Sequence, residues 1–280
     1  MAKNRAISRY KPFFRAGAMD LMAYKFHIFT WLIVTAFQVA CTVFLWIAVY
    51  KNAGFDRVIN GFSFKEMITY MVTVNIMSFV TFDGNSMNVI YDEIRDGTIA
   101  VSFIKPISYR LRFVASNLGS FFVKELLFGL PMFTAAYVIF VAIGFITIPS
   151  VAVFLGHLLL FLASQILATM LYDAFCYIFG VLCFYTMAGF GLDMLKDSVL
   201  SFFSGQLIPI AFFPPAIATV FGYLPFVGLA QTPVMILLMK YTLTEGLIAI
   251  MLSAGWLVVF EAIAALLFHV ASKKVTVQGG

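Results

Sequence analysis

Long apolar runs separated by short polar clusters set the rhythm of this chain, and several reach the ~20 residues that a bilayer-spanning helix requires. Six runs read as spans: 26–50, 67–91 including a polar helical extension, 114–145, 151–186, 198–212 and 247–270. The first 25 residues differ. There Ile7, Tyr10, Phe14, Ala18 and Leu21 recur at three- and four-residue steps among six Lys and Arg. This pattern predicts an amphipathic helix lying in the membrane interface, with Pro12 near its first turns; a plain basic tail is the alternative. Residues 213–240 are apolar but are interrupted by Pro214, Pro215, Pro225 and Pro233. Proline removes an amide donor and breaks interior helix, so two short helices that dip into the membrane and return are expected. A seventh span over Ala216–Met239 is the competing reading. The expected fold is therefore an all-α polytopic membrane protein in one domain over residues 1–280. It has six transmembrane helices, an N-terminal interfacial helix and a re-entrant helical hairpin between the fifth and sixth spans.

Composition agrees with that pattern: 62% of residues are hydrophobic and 11% charged, too little polar surface to coat a water-soluble particle. Six spans put both termini on one side. Fourteen of the eighteen Lys and Arg then share that side, leaving Lys51, Arg57, Lys65 and Lys240 on the other. The positive-inside rule makes the larger group cytoplasmic, in a multi-pass protein of the cell membrane. The net charge of +5 is thereby explained by the anionic inner leaflet, with no nucleic acid implied. No cleavable leader is expected, because the basic start lacks a compact apolar core and a small-residue cleavage site.

Candidate chemistry is sparse. Cys41, Cys176 and Cys183 lie in apolar runs and read as buried, inert thiols. His27, His157 and His269 share no metal-ligand spacing. Ser164 and Ser204 lack the glycine-flanked elbow of a hydrolase, and no phosphate-binding loop occurs. If ATP drives this protein, another chain binds it. Of the ionisable residues at membrane depth, Asp173 could line a pathway, reach a cytoplasmic mouth or pair with a neighbouring helix. Glu261 has no obvious partner within its own helix.

The densest charge sits in "VIYDEIRDGTIAVSFIKPISYRLRF", residues 89–113. Gly97 suits the left-handed position that ends a helix, and Thr98 could cap the short segment that stops before Pro106. Ile99, Val101, Phe103 and Ile104 fit poorly as solvent-exposed groups. They would lie on the interface or insert into a cleft on a partner; a partnerless juxtamembrane elbow is equally compatible.

Three features in order along the chain resemble the membrane subunits of ABC transporters of the ABC-2 type. They are "DEIRDGTIAVSFIKPIS", "FFSGQLIPIAFFPPAIATVFGYLPF" and the glycine-ended "KKVTVQGG", the last resembling a branch with paired, related permeases. The resemblance implies an exporter subunit with no ATPase activity of its own. It implies two ATP-binding subunits, which would carry ATP and Mg2+, and a second permease chain, identical or related. Residues 97–106 would be the coupling segment. Docking to the ATPase would fall to Asp92, Glu93, Arg95, Asp96, Gly97, Thr98, Ile99, Phe103, Lys105 and Pro106. Ser204, Gly205, Pro209, Phe213, Pro214, Pro215, Pro225 and Phe226 would form an outer re-entrant gate. The cargo would be amphipathic: a drug, an antimicrobial peptide or a lipid-like molecule. A secondary transporter or channel without an ATPase is the alternative, although no inverted repeat or relay of coupling groups is evident. An intramembrane enzyme lacks a nucleophile and base.

Overall fold

The computed structural model describes residues 9–23, 25–82, 86–148, 150–186 and 188–274. Lys3, Arg5, Ile7, Asp83 and the last six residues of the tail lie outside the described residues, as do the side chains of Leu21, Lys25 and His27. Among the described residues the regular structure is helical. Helix α1 spans Lys11–Ala23, α2 Lys25–Ala53, α3 Phe64–Thr81 and α4 Ser86–Arg95. The short α5, Ile99–Ile104, precedes the long α6, Tyr109–Ala142. Then come α7 (Val151–Leu182), α8 (Gly189–Phe203), α9 (Pro215–Gly222), α10 (Gln231–Leu237) and α11 (Leu243–Ala271).

The polar clusters between apolar runs hold the caps. Ser63 and Glu66 exchange hydrogen bonds in a capping box that starts α3, and Thr242 with Glu245 does the same for α11. Ser108 and Ser150 accept from the amides of Leu111 and Val153 to start α6 and α7. Gly97 takes φ +71° after α4, as its position requires. Thr98 is already helical and makes no side-chain cap, contrary to the expectation for it.

Among the described residues four helices are long and apolar enough to cross a membrane: 28–53 within α2, then α6, α7 and α11. Helices α3 and α8, which carry the expected second and fifth spans, have 18 and 15 residues and do not meet that combined measure. Helix α8 also begins nine residues before the expected Ser198 and stops at Phe203 rather than Phe212. The chain turns there because Gly205 adopts φ +82°. A single straight span over Ala216–Met239 does not form. Pro225 opens a 3-10 turn at Pro225–Leu229, and the segment divides into α9, that turn and α10.

Burial runs against apolarity. Phe26, Phe29, Trp31, Ile33, Val34, Phe37, Phe44 and Leu45 of α2 are exposed, as is Cys41, contrary to the expectation of a buried thiol there. Helix α3, by contrast, is enclosed by α2, α6, α7 and α10 although it carries Thr69, Thr73, Asn75, Ser78 and Thr81. Lipid is as apolar as the exposed side chains, so a greasy surface on α2 is stable there. A polar-bearing helix is placed where protein shields it. Thr69 and Asn75 satisfy themselves by donating to the carbonyls of Lys65 and Met71, both at 2.7 Å. Met67, Tyr70, Met71, Val74 and Met77 then form the centre of the largest core cluster, with Tyr50, Phe161, Val234 and Ile236.

Helix α1 crosses the first half of α6 backbone to backbone. A Cβ at Gly17 would collide with the carbonyl of Ser116, and one at Gly119 with the carbonyl of Phe14. Ser120 Oγ donates to the Gly17 carbonyl at 3.0 Å, and the Ser108 amide donates to Tyr10 Oη at 2.9 Å. Small residues permit this approach, which larger ones would prevent.

Candidate functional site

The charged segment of residues 89–113 folds into an elbow of α4, α5 and the first turn of α6, and two charge networks hold it. In the first, Glu93 on α4 accepts from three groups. Arg112 Nη2 lies at 2.6 Å and Tyr109 Oη at 2.8 Å from Oε2, and Ser102 Oγ at 3.0 Å from Oε1. Arg112 Nη1 also reaches Ser102 Oγ at 3.2 Å, and its guanidinium lies over the rings of Tyr109 and Phe113. Burial pushes the Glu93 carboxyl up, but bonds from Arg112, Tyr109 and Ser102 outweigh it and hold the group below its ordinary value. The elbow is thus closed on itself by groups contributed from α4, α5 and α6.

The second network joins the elbow to the membrane bundle. Arg110, in the first turn of α6, donates from Nε and Nη2 to Glu261 on α11 at 3.0 and 2.6 Å, and from Nη1 to Asp173 on α7 at 2.5 Å. Ser86 at the start of α4 and Asn117 on α6 both donate to the other Asp173 oxygen. The guanidinium stands 4.8 Å from the Tyr177 ring centroid. Asp173 therefore does not stand alone at membrane depth, and Glu261 has a partner after all. A planar guanidinium engaging two carboxylates is a geometry lysine could not reproduce. One cationic side chain links α6, α7 and α11, and Asp173 adds α4 through Ser86. A cleft of about 370 Å³ opens beside the node, lined by Tyr109, Tyr177, Glu261, Phe268 and His269 among others.

The expected docking residues separate into two sets. Ile99 is buried, and Phe103 packs edge-on against Tyr109 and Phe268. Glu93 faces inward, in the first network. Exposed are Asp92, Arg95, Asp96, Gly97, Thr98, Lys105 and Pro106, with Arg95 paired to Asp92 at 3.2 Å and to Asp96 at 3.0 Å. Between them stand Val101 and Ile104, 59% and 82% exposed. The apolar side chains of α5 thus have two faces: Ile99 and Phe103 lock it to the body, and Val101 and Ile104 face out.

The residues of the expected outer gate converge at the other end of α8. Ser204 and Gly205 are buried; Tyr70 Oη donates to the Gly205 carbonyl at 2.8 Å, and the Gln231 amide to the Ser204 carbonyl at 3.1 Å. Gln231 Oε1 accepts from the Ile210 amide at 2.7 Å, just past the buried Pro209. Phe213 and Phe226 join an aromatic cluster with Phe202, Phe203 and Phe221, and Phe226 reaches Phe175 on α7. Pro214 is exposed, Pro215 opens α9, and the buried Pro225 opens the 3-10 turn. Nearby, Lys240 bonds Glu66 at 2.5 Å and the Gly61 carbonyl at 3.1 Å, so Lys240 and the residues starting α3 share this end.

Sequence reading missed Arg110 as a hub, Tyr70 and Gln231 as staples, and Glu125, an acid in the middle of α6. Only Glu125 carried a local signal, a carboxylate inside a long apolar helix. His157 is buried and bonds the carbonyls of Val153 and Tyr241, and no cluster with metal-binding composition occurs among the described residues.

The geometry is that of a helical membrane body with a rigid charged elbow on one end and a proline-broken segment toward the other. Searches of curated proteins and of solved structures gave no significant match. The family model described as "ABC-2 family transporter protein" matches residues 36–279. The chain therefore belongs to the ABC-2 transporter family: it is a multi-pass membrane permease, a non-catalytic transport component of a family whose membership implies association with ABC ATP-binding subunits.

Proposed function

We propose that this chain is the membrane-spanning subunit of an ATP-driven exporter. Two ATP-binding subunits, carrying ATP and Mg2+, dock on the elbow, and a second permease chain, related or identical, completes the pathway. In this reading α3, extended by α4 as far as residue 91, is the second of six spans and α8 the fifth. Both termini are cytoplasmic, and residues 213–240 form a re-entrant cap on the outer side. The cargo is amphipathic and leaves the cytoplasm or the inner leaflet.

The observation that carries this reading is the mounting of α5. Its exposed apolar edge, Val101 and Ile104, sits among charged and polar groups, as a docking edge does. Behind that edge, Ile99, Phe103 and the Glu93–Arg112 network make the elbow rigid, and Arg110 ties it to α7 and α11. A push on α5 is therefore delivered to the helices of the pathway rather than absorbed locally.

The test is co-purification of the permease with an ABC ATP-binding subunit, using Val101→Asp/Ile104→Asp. Exposed positions tolerate the change, so the variant should keep its thermal stability and lose the ATPase. Retained co-purification and ATP turnover would remove α5 from the interface.

A further inference from the structure

Halfway along α6 the regular helix gives way to a π turn, Glu125–Gly129, whose first residue is an acid. Gln165 stands at the corresponding midpoint of α7, and both side chains are buried, Glu125 at 6% and Gln165 at 0% exposure. Their depth makes an ionised group costly. Gln165 Nε2 donates to Glu125 Oε2 at 2.9 Å. The second oxygen of each group, Glu125 Oε1 and Gln165 Oε1, has no hydrogen-bond partner. An ionised carboxylate and an amide oxygen only accept, so the pair is short of one hydrogen. Gly129 is fitted to the carboxyl as well, since a Cβ there would collide with Glu125 Oε2.

From this geometry we infer that the Glu125–Gln165 pair is a proton-binding site, with Glu125 held as a neutral carboxylic acid between α6 and α7. A single proton turns one orphaned acceptor into a donor and removes the charge from the membrane interior. Among the described residues the surrounding charges do not supply a substitute. Lys124, the neighbour on α6, places its ammonium over the Phe79 ring at 5.5 Å. On α7, His157 and Asp173 lie two turns away on either side, engaged by backbone carbonyls and by Arg110. Helix α3, which packs on the π turn, carries charge only in its first turn; farther along are the buried hydroxyls of Ser78 and Thr81, themselves unpartnered.

The test uses the full-length purified permease and dicyclohexylcarbodiimide, which modifies protonated carboxyls in apolar surroundings. At neutral pH, mass spectrometry should find the adduct on the peptide containing Glu125, lost in Glu125→Gln and unchanged by added sodium. Infrared spectroscopy of the same samples should show a protonated-carboxyl band that shifts in D2O and is missing in Glu125→Gln, whether or not the reagent reaches the site. Absence of that band overturns the assignment. Protection from labelling by sodium at constant pH also overturns it, making the pair a cation site. Neither readout involves an ATP-binding subunit.

Discussion

Replacing Arg110 by Met keeps most of the aliphatic length while removing the charge that three helices share. The Asp173 side chain is 2% exposed, so without the guanidinium its charge is left to Ser86 and Asn117 alone. Breaking a buried pair by removing one partner destabilises by about 3–5 kcal/mol. At about 2–4 °C per kcal/mol for chains of this order of size, the midpoint should fall by roughly 6–20 °C. Glu261 is 36% exposed, so Glu261→Gln should lower it by no more than about 2–4 °C, the limit for a partly solvated pair worth up to ~1 kcal/mol. The decisive comparison is Arg110→Met/Asp173→Asn. That double variant has no fully buried uncompensated charge, since only the 36% exposed Glu261 loses its partner, and the carboxamide in place of the Asp173 carboxylate still offers an oxygen to Ser86 and Asn117. It should therefore be more stable than Arg110→Met alone. The assay is loss of the monodisperse size-exclusion peak of detergent-solubilised protein after heating. If Arg110→Met shifts the midpoint no more than Glu261→Gln, or the double variant is no better than the single, the node is not a buried brace.

Two further outcomes follow from particular contacts. Gly119→Ala should force α1 away from α6 and speed tryptic cleavage after the exposed Arg15, whereas Gly191→Ala, which meets open space, should leave the digestion pattern unchanged. The Glu93 carboxyl is held below its ordinary value, so its contribution is present above the unfolded value and is lost as pH falls through the folded one. The midpoint advantage of the unmodified protein over Glu93→Gln should therefore persist at neutral pH and vanish only below pH 4.5; an advantage lost already above that value would refute the assigned bonds.

The cap residues show why the local level was readable. Ser63 with Glu66, Ser108, Ser150 and Thr242 with Glu245 stand where polar residues meet apolar runs, and the helices start there. Gly97 and Pro106 bound α5 for reasons confined to their own backbone. The same locality explains the errors. Nothing near Thr98 says that its side chain will go unused. Residues 198–212 carry no charge and read as one span until Gly205 is seen to turn left-handed against Tyr70 and Gln231.

By itself, the sequence determined that this is a helical membrane protein, where its long apolar helices lie, that an elbow interrupts them after Gly97, and that no phosphate-binding loop is present. Those properties depend on residue type and spacing within a few turns. Only the tertiary structure decided which charges neutralise one another. Ser86, Arg110, Asn117, Asp173 and Glu261 are brought together from positions up to 175 residues apart, and no periodicity encodes that meeting. It also decided which face of α5 is free and that the polar-bearing α3, not the greasiest helix, lies at the centre. In a membrane both choices turn on hydrogen bonding and shape rather than on hydrophobicity, because lipid accepts an apolar surface as readily as protein does.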